Sequence, residues 1–277
     1  VGVPPVKPAA FDYARPDNLD EALALLANRG DRARICAGGQ SLGAMMNMRL
    51  ATPEVLIDIA GLGELQGIAI VDGAIEVGAA VTQDALLRWP ELGVRQPLLA
   101  QMLPWVGHYQ PRQRGTVCGS LAHADPSSEL PLALTLLRGE VVLRSQRRRR
   151  VVQAKDFQVG MMATAVAGDE MIVAARFPLA PDGTAFAFHE VAQRHGDFAI
   201  VAVAAVGDKN GVRVGVGGVA DVPSVINLTW PVTDLALNEF AWALGGADDQ
   251  HATVRYRREL VRRIGKRLTG EVYDALP

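Results

Sequence analysis

Near Gly61 the rhythm of this sequence changes. Before it, short apolar runs alternate with stretches of helical period. Phe11-Asp12-Tyr13 reads as a strand and Arg15-Pro16-Asp17 as a turn. Asp17 caps a predicted helix to about residue 28, with Leu19, Ala22, Leu23 and Leu26 on one face and Gly30 as its stop. Residues 34–37 read as a buried strand, Ser41 opens a methionine-rich helix to about residue 50, and residues 55–59 form another strand. After Gly61 the texture turns to short strands and glycine turns. Residues 68–71 and 74–77 flank Asp72-Gly73, a hairpin signal, and Thr82 caps a helix through Arg88. A chain that alternates strand and helix and then switches to hairpins is expected to be α+β, built of more than one unit.

Further on, residues 97–106 read as helical, residues 107–126 as a polar loop, and the stretch to Leu137 as a helix. Strands near 141–144 and 151–152 flank Arg147 to Arg150, read as a solvated hairpin tip. Pro178 to Gly183 marks a boundary, residues 199–206 and 212–219 flank the turn Lys209-Asn210-Gly211, and two helices follow at about 235–244 and 249–268. The last carries seven basic residues around Val254, Val261, Ile264 and Leu268, which suits a surface helix packed on the hairpin sheet.

Composition removes several function classes. Over 277 residues, hydrophobic residues make up 49% and charged residues 21%, enough apolar material for large cores and too much for global disorder. A formal charge of −2 supplies no basic field for nucleic acid. The longest uncharged apolar run, 198–207, is well short of the roughly 18 residues of a membrane helix, and the proline-bearing start, residues 1–8, is not a signal peptide. A soluble, cytoplasmic protein is the expectation. The two cysteines, Cys36 and Cys118, cannot form a disulfide framework or hold an iron–sulfur cluster.

Two loops carry the chemistry. Ala37-Gly38-Gly39-Gln40-Ser41 lies between a strand and a helix, where glycines let backbone approach a ligand and a helix start offers unpaired N–H groups to phosphate. A tight turn with no ligand fits this segment equally well, because it is neither the dinucleotide fingerprint nor a P-loop. The second loop, Gly115-Thr116-Val117-Cys118-Gly119-Ser120, continues through Leu121-Ala122-His123-Ala124-Asp125-Pro126 to Glu129. Asp125 with Pro126 reads as a helix start. His123 and Glu129 offer hydrogen bonds to a chain of hydroxyls. No zinc-spaced pair and no Gly-x-Ser-x-Gly elbow occurs, so no metal ligand and no catalytic side chain is assigned.

With these two loops in order, the sequence resembles the FAD-binding medium subunit of molybdenum hydroxylases, the carbon monoxide dehydrogenase and xanthine dehydrogenase group. The family motif Ala-Gly-Gly-His-Ser corresponds to residues 37–41, and Thr-Ile/Val-Gly-Gly-Asn/Ser to residues 116–120. Residues 53–59, the stretch from Asp156-Phe157 through Pro178, and Arg194-His195-Gly196-Asp197-Phe198-Ala199 agree as well, so the resemblance spans nearly the whole chain. It implies an α+β, PCMH-type fold: an N-terminal α/β subdomain (1–54), a second FAD-binding subdomain (55–178) and a C-terminal antiparallel sheet with helices (179–277). FAD would lie extended between the first two.

By the same resemblance, Ala37, Gly38, Gly39, Gln40, Ser41 and Leu42 on one side, and Thr116, Gly119 and Ser120 on the other, hold the pyrophosphate through backbone N–H groups and hydroxyls. His123 and Glu129 occupy positions that contact the ribityl and pyrophosphate region, and Asp125 is counted among the cofactor-binding residues. Ile172 packs near the flavin, and Glu190 stands where xanthine-oxidising members carry a flavin-proximal lysine. A negative charge at Glu190 is expected to disfavour the anionic reduced flavin; a surface ion pair with Arg194 is the competing expectation. Gln40, Cys118 and Val225 depart from the family pattern, at a histidine, a glycine and an arginine.

The implied function is an electron-transfer subunit of a heterotrimeric oxidoreductase. Substrate is hydroxylated at the molybdopterin centre of a large subunit, and electrons pass through two [2Fe-2S] clusters of a small subunit to FAD here and on to an external acceptor. Doubling of the heterotrimer is left open. A self-contained flavin reductase or oxidase of the same fold and a flavin-free assembly scaffold are the alternatives.

Overall fold

The computed structural model describes residues 7–277, so Pro4 and Pro5 of the proline-bearing start lie outside the described residues. The first unit contains β1 (Asp12–Ala14), α1 (Leu19–Arg29), β2 (Ala33–Cys36), α2 (Gln40–Asn47) and β3 (Val55–Asp58). Its strands are parallel in the order β1-β3-β2, with Ile57 opposite both Ala14 and Ile35. Ala22, Leu23 and Leu26 of α1 are buried, as their spacing predicted. The cap falls one residue later than expected. Asn18, not Asp17, accepts the Glu21 N–H at 2.9 Å, while the Asp17 amide donates to the Glu21 carboxylate.

Two further corrections bear on the site. β3 is the central strand of this sheet, so a boundary between residues 54 and 55 would cut it from both of its partners. β2 is an edge strand and only Ala33 in it is buried; Ile35 and Cys36 are half-exposed because no strand covers that side.

The second unit opens with the hairpin of β4 (Ile68–Val71) and β5 (Ala74–Gly78), where Asp72 and Gly73 both take positive φ. Short helices follow: α3 (Gln83–Leu87), capped by Thr82 as expected, α4 (Leu92–Arg95), α5 (Pro97–Met102), α6 (Tyr109–Arg114), α7 (Val117–His123) and α8 (Glu129–Leu136). The stretch 107–126, expected as a loop, therefore holds two helices. Thr116 starts the second by accepting the Gly119 N–H at 2.9 Å, a cap hidden among small residues. Then come β6 (Glu140–Arg144), β7 (Arg149–Gln153), α9 (Ala154–Phe157), the small pair β8 (Gln158–Gly160) and β9 (Ala163–Thr164), and β10 (Met171–Pro178). The antiparallel sheet runs β4-β5-β10-β6-β7. β10, the last to be made, lies in its middle and buries Ala175 and Phe177 completely. The arginine run is not a bare tip: Arg148 and Arg150 both pair with buried Glu170.

The third unit is the antiparallel sheet β11 (Ala185–Ala192), β12 (Ala199–Asp208), β13 (Gly211–Gly217) and β14 (Ser224–Leu228), followed by α10 (Asp234–Ala243) and α11 (Val254–Asp274). β12 is buried on both faces. Ala202, Ala204 and Val206 join the core shared with the second unit, whereas Val201, Val203 and Ala205 join the core under α10 and α11. That is why its sequence is an unbroken apolar run. α11 begins later and runs longer than expected. Thr253 caps it, because Asp249 is occupied by the amides of His251 and Ala252 and by the Arg257 guanidinium. Among the described residues no helix is long and apolar enough to cross a membrane.

Candidate functional site

A cleft of about 810 Å³ opens between the start of α2 and the start of α7. On the first side, β2 ends at Cys36 and α2 begins at Gln40. Gly39 takes the left-handed conformation (φ 68°) and, lacking a side chain, leaves the helix uncapped. The first-turn amides of Gln40, Ser41 and Leu42 meet no acceptor among the described residues, and the helix dipole adds to their pull on an anion. Gly38 is there for space: a Cβ on it would lie 2.0 Å from the Arg114 carbonyl oxygen at the end of α6. Gln40 Nε2 turns back to donate to the Gly38 carbonyl at 3.1 Å, so this departure from the family pattern braces the loop.

The opposite side differs in detail from expectation. The Gly119 N–H donates to Thr116 Oγ1 and the Ser120 N–H to the Thr116 carbonyl (3.1 Å), so both amides are engaged within α7. What this side keeps for a ligand is hydroxyl chemistry, from Ser120 and from the Thr116 O–H, which still donates. Cys118 is a helical residue without positive φ, so its Cβ is tolerated. Its Sγ donates to the Val77 carbonyl at 3.6 Å, and burial pushes the thiol up to about 12.

Of the residues singled out from sequence, Ala37 to Leu42, Thr116, Gly119, Ser120, His123, Glu129 and Ile172 all line this cleft. Asp125 and Glu190 do not. Asp125 Oδ1 accepts the Ser127 N–H at 2.8 Å, and the helix it was expected to cap starts after Ser128. Glu190, on β11, is 2% exposed and sits behind Glu129; Arg194 pairs with Asp197 instead. Burial and the neighbouring Glu129 push the Glu190 carboxyl well up, which disfavours the negative charge expected there. The cleft also includes residues to which the sequence assigned no role in the site, among them His108, Met162 and Phe198. Phe198, 66% exposed at the head of β12, is an aromatic left in the open beside a cleft, a signal visible only once its strand is placed.

The sequence matches the family model for the FAD binding domain in molybdopterin dehydrogenase over residues 9–180. The chain belongs to this family. The nicotine 6-hydroxylase medium subunit of Paenarthrobacter nicotinovorans is 35% identical over 95% of this chain and 97% of its own length. The carbon monoxide dehydrogenase medium chain of Afipia carboxidovorans is 34% identical over 78% and 77%. Among solved structures, carbon monoxide dehydrogenase from Hydrogenophaga pseudoflava superposes with a TM-score of 0.91 at 28% identity, covering 98% of this chain and 99% of that one. Quinoline 2-oxidoreductase from Pseudomonas putida 86 does so with 0.89 at 30%, covering 97% and 98%. The α+β, PCMH-type fold is thereby shown, and this FAD-binding domain is part of an oxidoreductase.

The geometry of this FAD-binding domain fits its cofactor. A dinucleotide needs a place for two phosphates and a long trough on either side. The unpartnered amides of α2 supply the first, and a cleft floored by Glu129 and walled by His123 and Ile172 supplies the second. Among the described residues no three His, Cys, Asp or Glu side chains are grouped to hold a metal.

Proposed function

We propose that this chain is the FAD-carrying, electron-transfer subunit of a heterotrimeric molybdenum hydroxylase. The observation that carries the reading is the uncapped start of α2 facing α7 across a cleft of dinucleotide size, within a chain similar to medium subunits along its whole length. FAD, when bound, supplies the exchange of one or two electrons between a cluster-bearing partner and an external acceptor. The chain's own residues bind and orient it. The α2 amides and the Ser41 hydroxyl hold the pyrophosphate, Thr116 and Ser120 add hydroxyls, His123 and Glu129 take the ribityl chain, and Ile172 packs near the ring. Asp125 acts through the turn that sets Glu129, and Glu190 from behind it. Partners are a large molybdopterin subunit and a small subunit with two [2Fe-2S] clusters, in a cytoplasmic complex. The first subdomain closes after β3, and the second at about residue 178, near the end of the family match.

Purification of the full chain with its neighbours tests this. The expected result is a yellow protein that releases FAD and co-purifies with molybdenum, iron and two further chains. A yellow chain that is active alone supports a self-contained flavoenzyme instead, and a folded colourless chain a scaffold. Gly39→Trp should give folded, colourless protein; a normal yellow variant would defeat the pyrophosphate assignment.

A further inference from the structure

Glu190 is buried to 2% exposure on β11, and among the described residues neither of its carboxyl oxygens meets a hydrogen-bond donor. Glu170 shows what this chain does with a buried carboxylate it means to ionise: two arginines clasp it. Among the described residues no cation clasps Glu190. Its acidic neighbour is Glu129, the first residue of α8, itself buried and lining the cleft. The other charged groups acting on the pair are Asp125, from the turn ahead of α8, and Arg112 of α6. Arg112 Nη1 donates to the carbonyls of Pro104, Val106 and Gly107, its buried Nε meets no acceptor among the described residues, and its charge favours ionisation of Glu129. Two adjoining carboxyls, dry and without a dedicated cation, do not both ionise.

We propose that Glu129 and Glu190 hold one proton between them, and that Glu190 is a positioning residue whose acid O–H faces Glu129 and leaves the Glu129 carboxylate to accept a hydroxyl of the ligand in the cleft. The division of labour follows from placement. Glu190 lies off the cleft wall and out of water, where the neutral acid is favoured, while Glu129 reaches the cleft, where a hydroxyl donor stabilises charge. Burial raises both carboxyls; the Glu129 charge and its hydrogen bond raise Glu190 further, whereas the hydrogen bond from Glu190 and the Arg112 charge hold Glu129 lower, in line with this order. Two macroscopic deprotonations belong to the pair, and the second puts two charges into one dry site. Ligand binding is thereby tied to a proton: the singly protonated pair binds, and the doubly ionised pair does not.

The proposal rests on the reading of this cleft as the FAD site, and the test separates the two. Infrared spectra of the full chain, with and without Glu190→Gln, report the carbonyl stretch of a protonated carboxyl at neutral pH. Fluorescence titration with FAD, from neutral to alkaline pH, reports affinity. The expected results are a protonated-carboxyl band in the wild type that E190Q lacks, and a wild-type affinity that falls about tenfold or more as pH rises while E190Q stays flat. Glu190→Ala should weaken FAD binding about tenfold at neutral pH, and E190Q, whose amide N–H replaces the acid O–H, should restore it. A wild type without the band, a band that persists in E190Q, or equal pH profiles for the two proteins would overturn the proposal. If the chain takes up no FAD at any pH, the FAD reading fails, and the band alone still decides where the proton is. If E190Q does not fold, the wild-type band must vanish over the pH range in which FAD is released; a band unchanged through that range overturns the shared proton.

Discussion

Gly38 stands against the carbonyl of Arg114 so closely that any side chain there would occupy the same space: the oxygen lies 2.0 Å from where a Cβ would be. The contact joins the loop ahead of α2 to the end of α6, and so sets the width of the cleft. Gly38→Ala should therefore lower stability by about 2–4 kcal/mol and weaken FAD binding at least about tenfold, measured by urea unfolding and flavin absorbance. Gly43, four residues past Gly39 in α2, has nothing beyond its chain neighbours and its own helix backbone within 4 Å of its Cβ position among the described residues. Gly43→Ala should leave FAD bound and raise stability by about 0.5–1 kcal/mol.

Glu170 has a side chain with 0% exposure, and the guanidiniums of Arg150 and Arg148 reach it at 2.7 and 3.1 Å. The Arg150 hydrogen bond holds its carboxyl at about 2, below the ordinary 4.5. A depressed value means the contribution is complete above the ordinary carboxyl range and is lost as pH falls from about 4.5 towards 2. Glu170→Gln should cost about 3 kcal/mol at pH 7, and less in acid, so the gap between the urea midpoints of wild type and variant narrows on acidification.

The two thiols should separate cleanly in a labelling experiment. Cys118 is buried and pushed up to about 12, so it should react only on unfolding. Cys36 is half-buried on the cleft wall, and burial raises it as well. Slow native labelling of Cys36 that FAD slows further, read by peptide mass spectrometry, is the expected outcome.

Arg257 of α11 is 6% exposed and donates to the carbonyls of Ile200, Ala247 and Ala252 and to Asp249, at 2.7 to 3.2 Å. Arg257→Ala removes the side-chain donor from the Ile200 and Ala247 carbonyls and from Asp249 Oδ2 and should cost about 3–5 kcal/mol in chemical denaturation. Arg257→Lys should recover only a small part, because one ammonium cannot span a fork of four acceptors.

What could be read from sequence was local. Asp72-Gly73, the helical spacing of Leu19, Ala22, Leu23 and Leu26, and the Gly38-Gly39 junction each act within a few residues, and each takes the conformation its chemistry favours. What escaped was set by distant chain. Nothing near Val55 says that it pairs between β1 and β2, so the expected boundary fell on the wrong side of β3. The engagement of the Gly119 amide depends on Thr116 acting as a cap, and small residues in a polar stretch gave α7 no apolar stripe. Glu190 looked like a surface or flavin-facing acid because a lone charge in an apolar strand does not reveal what covers it; β12 on one side and Glu129 beyond it do.

β12 divides two cores: from Val201 to Val206 its even-numbered residues close one and its odd-numbered residues the other. A dividing wall of this kind transmits loss in both directions. Loosening α11 bares one face of β12, the strand on which β11 hangs, and β11 carries Glu190. Melting of the C-terminal helices and release of FAD should thus follow one cooperative curve, and the cofactor should protect backbone amides in α11, outside its own cleft, from exchange with solvent.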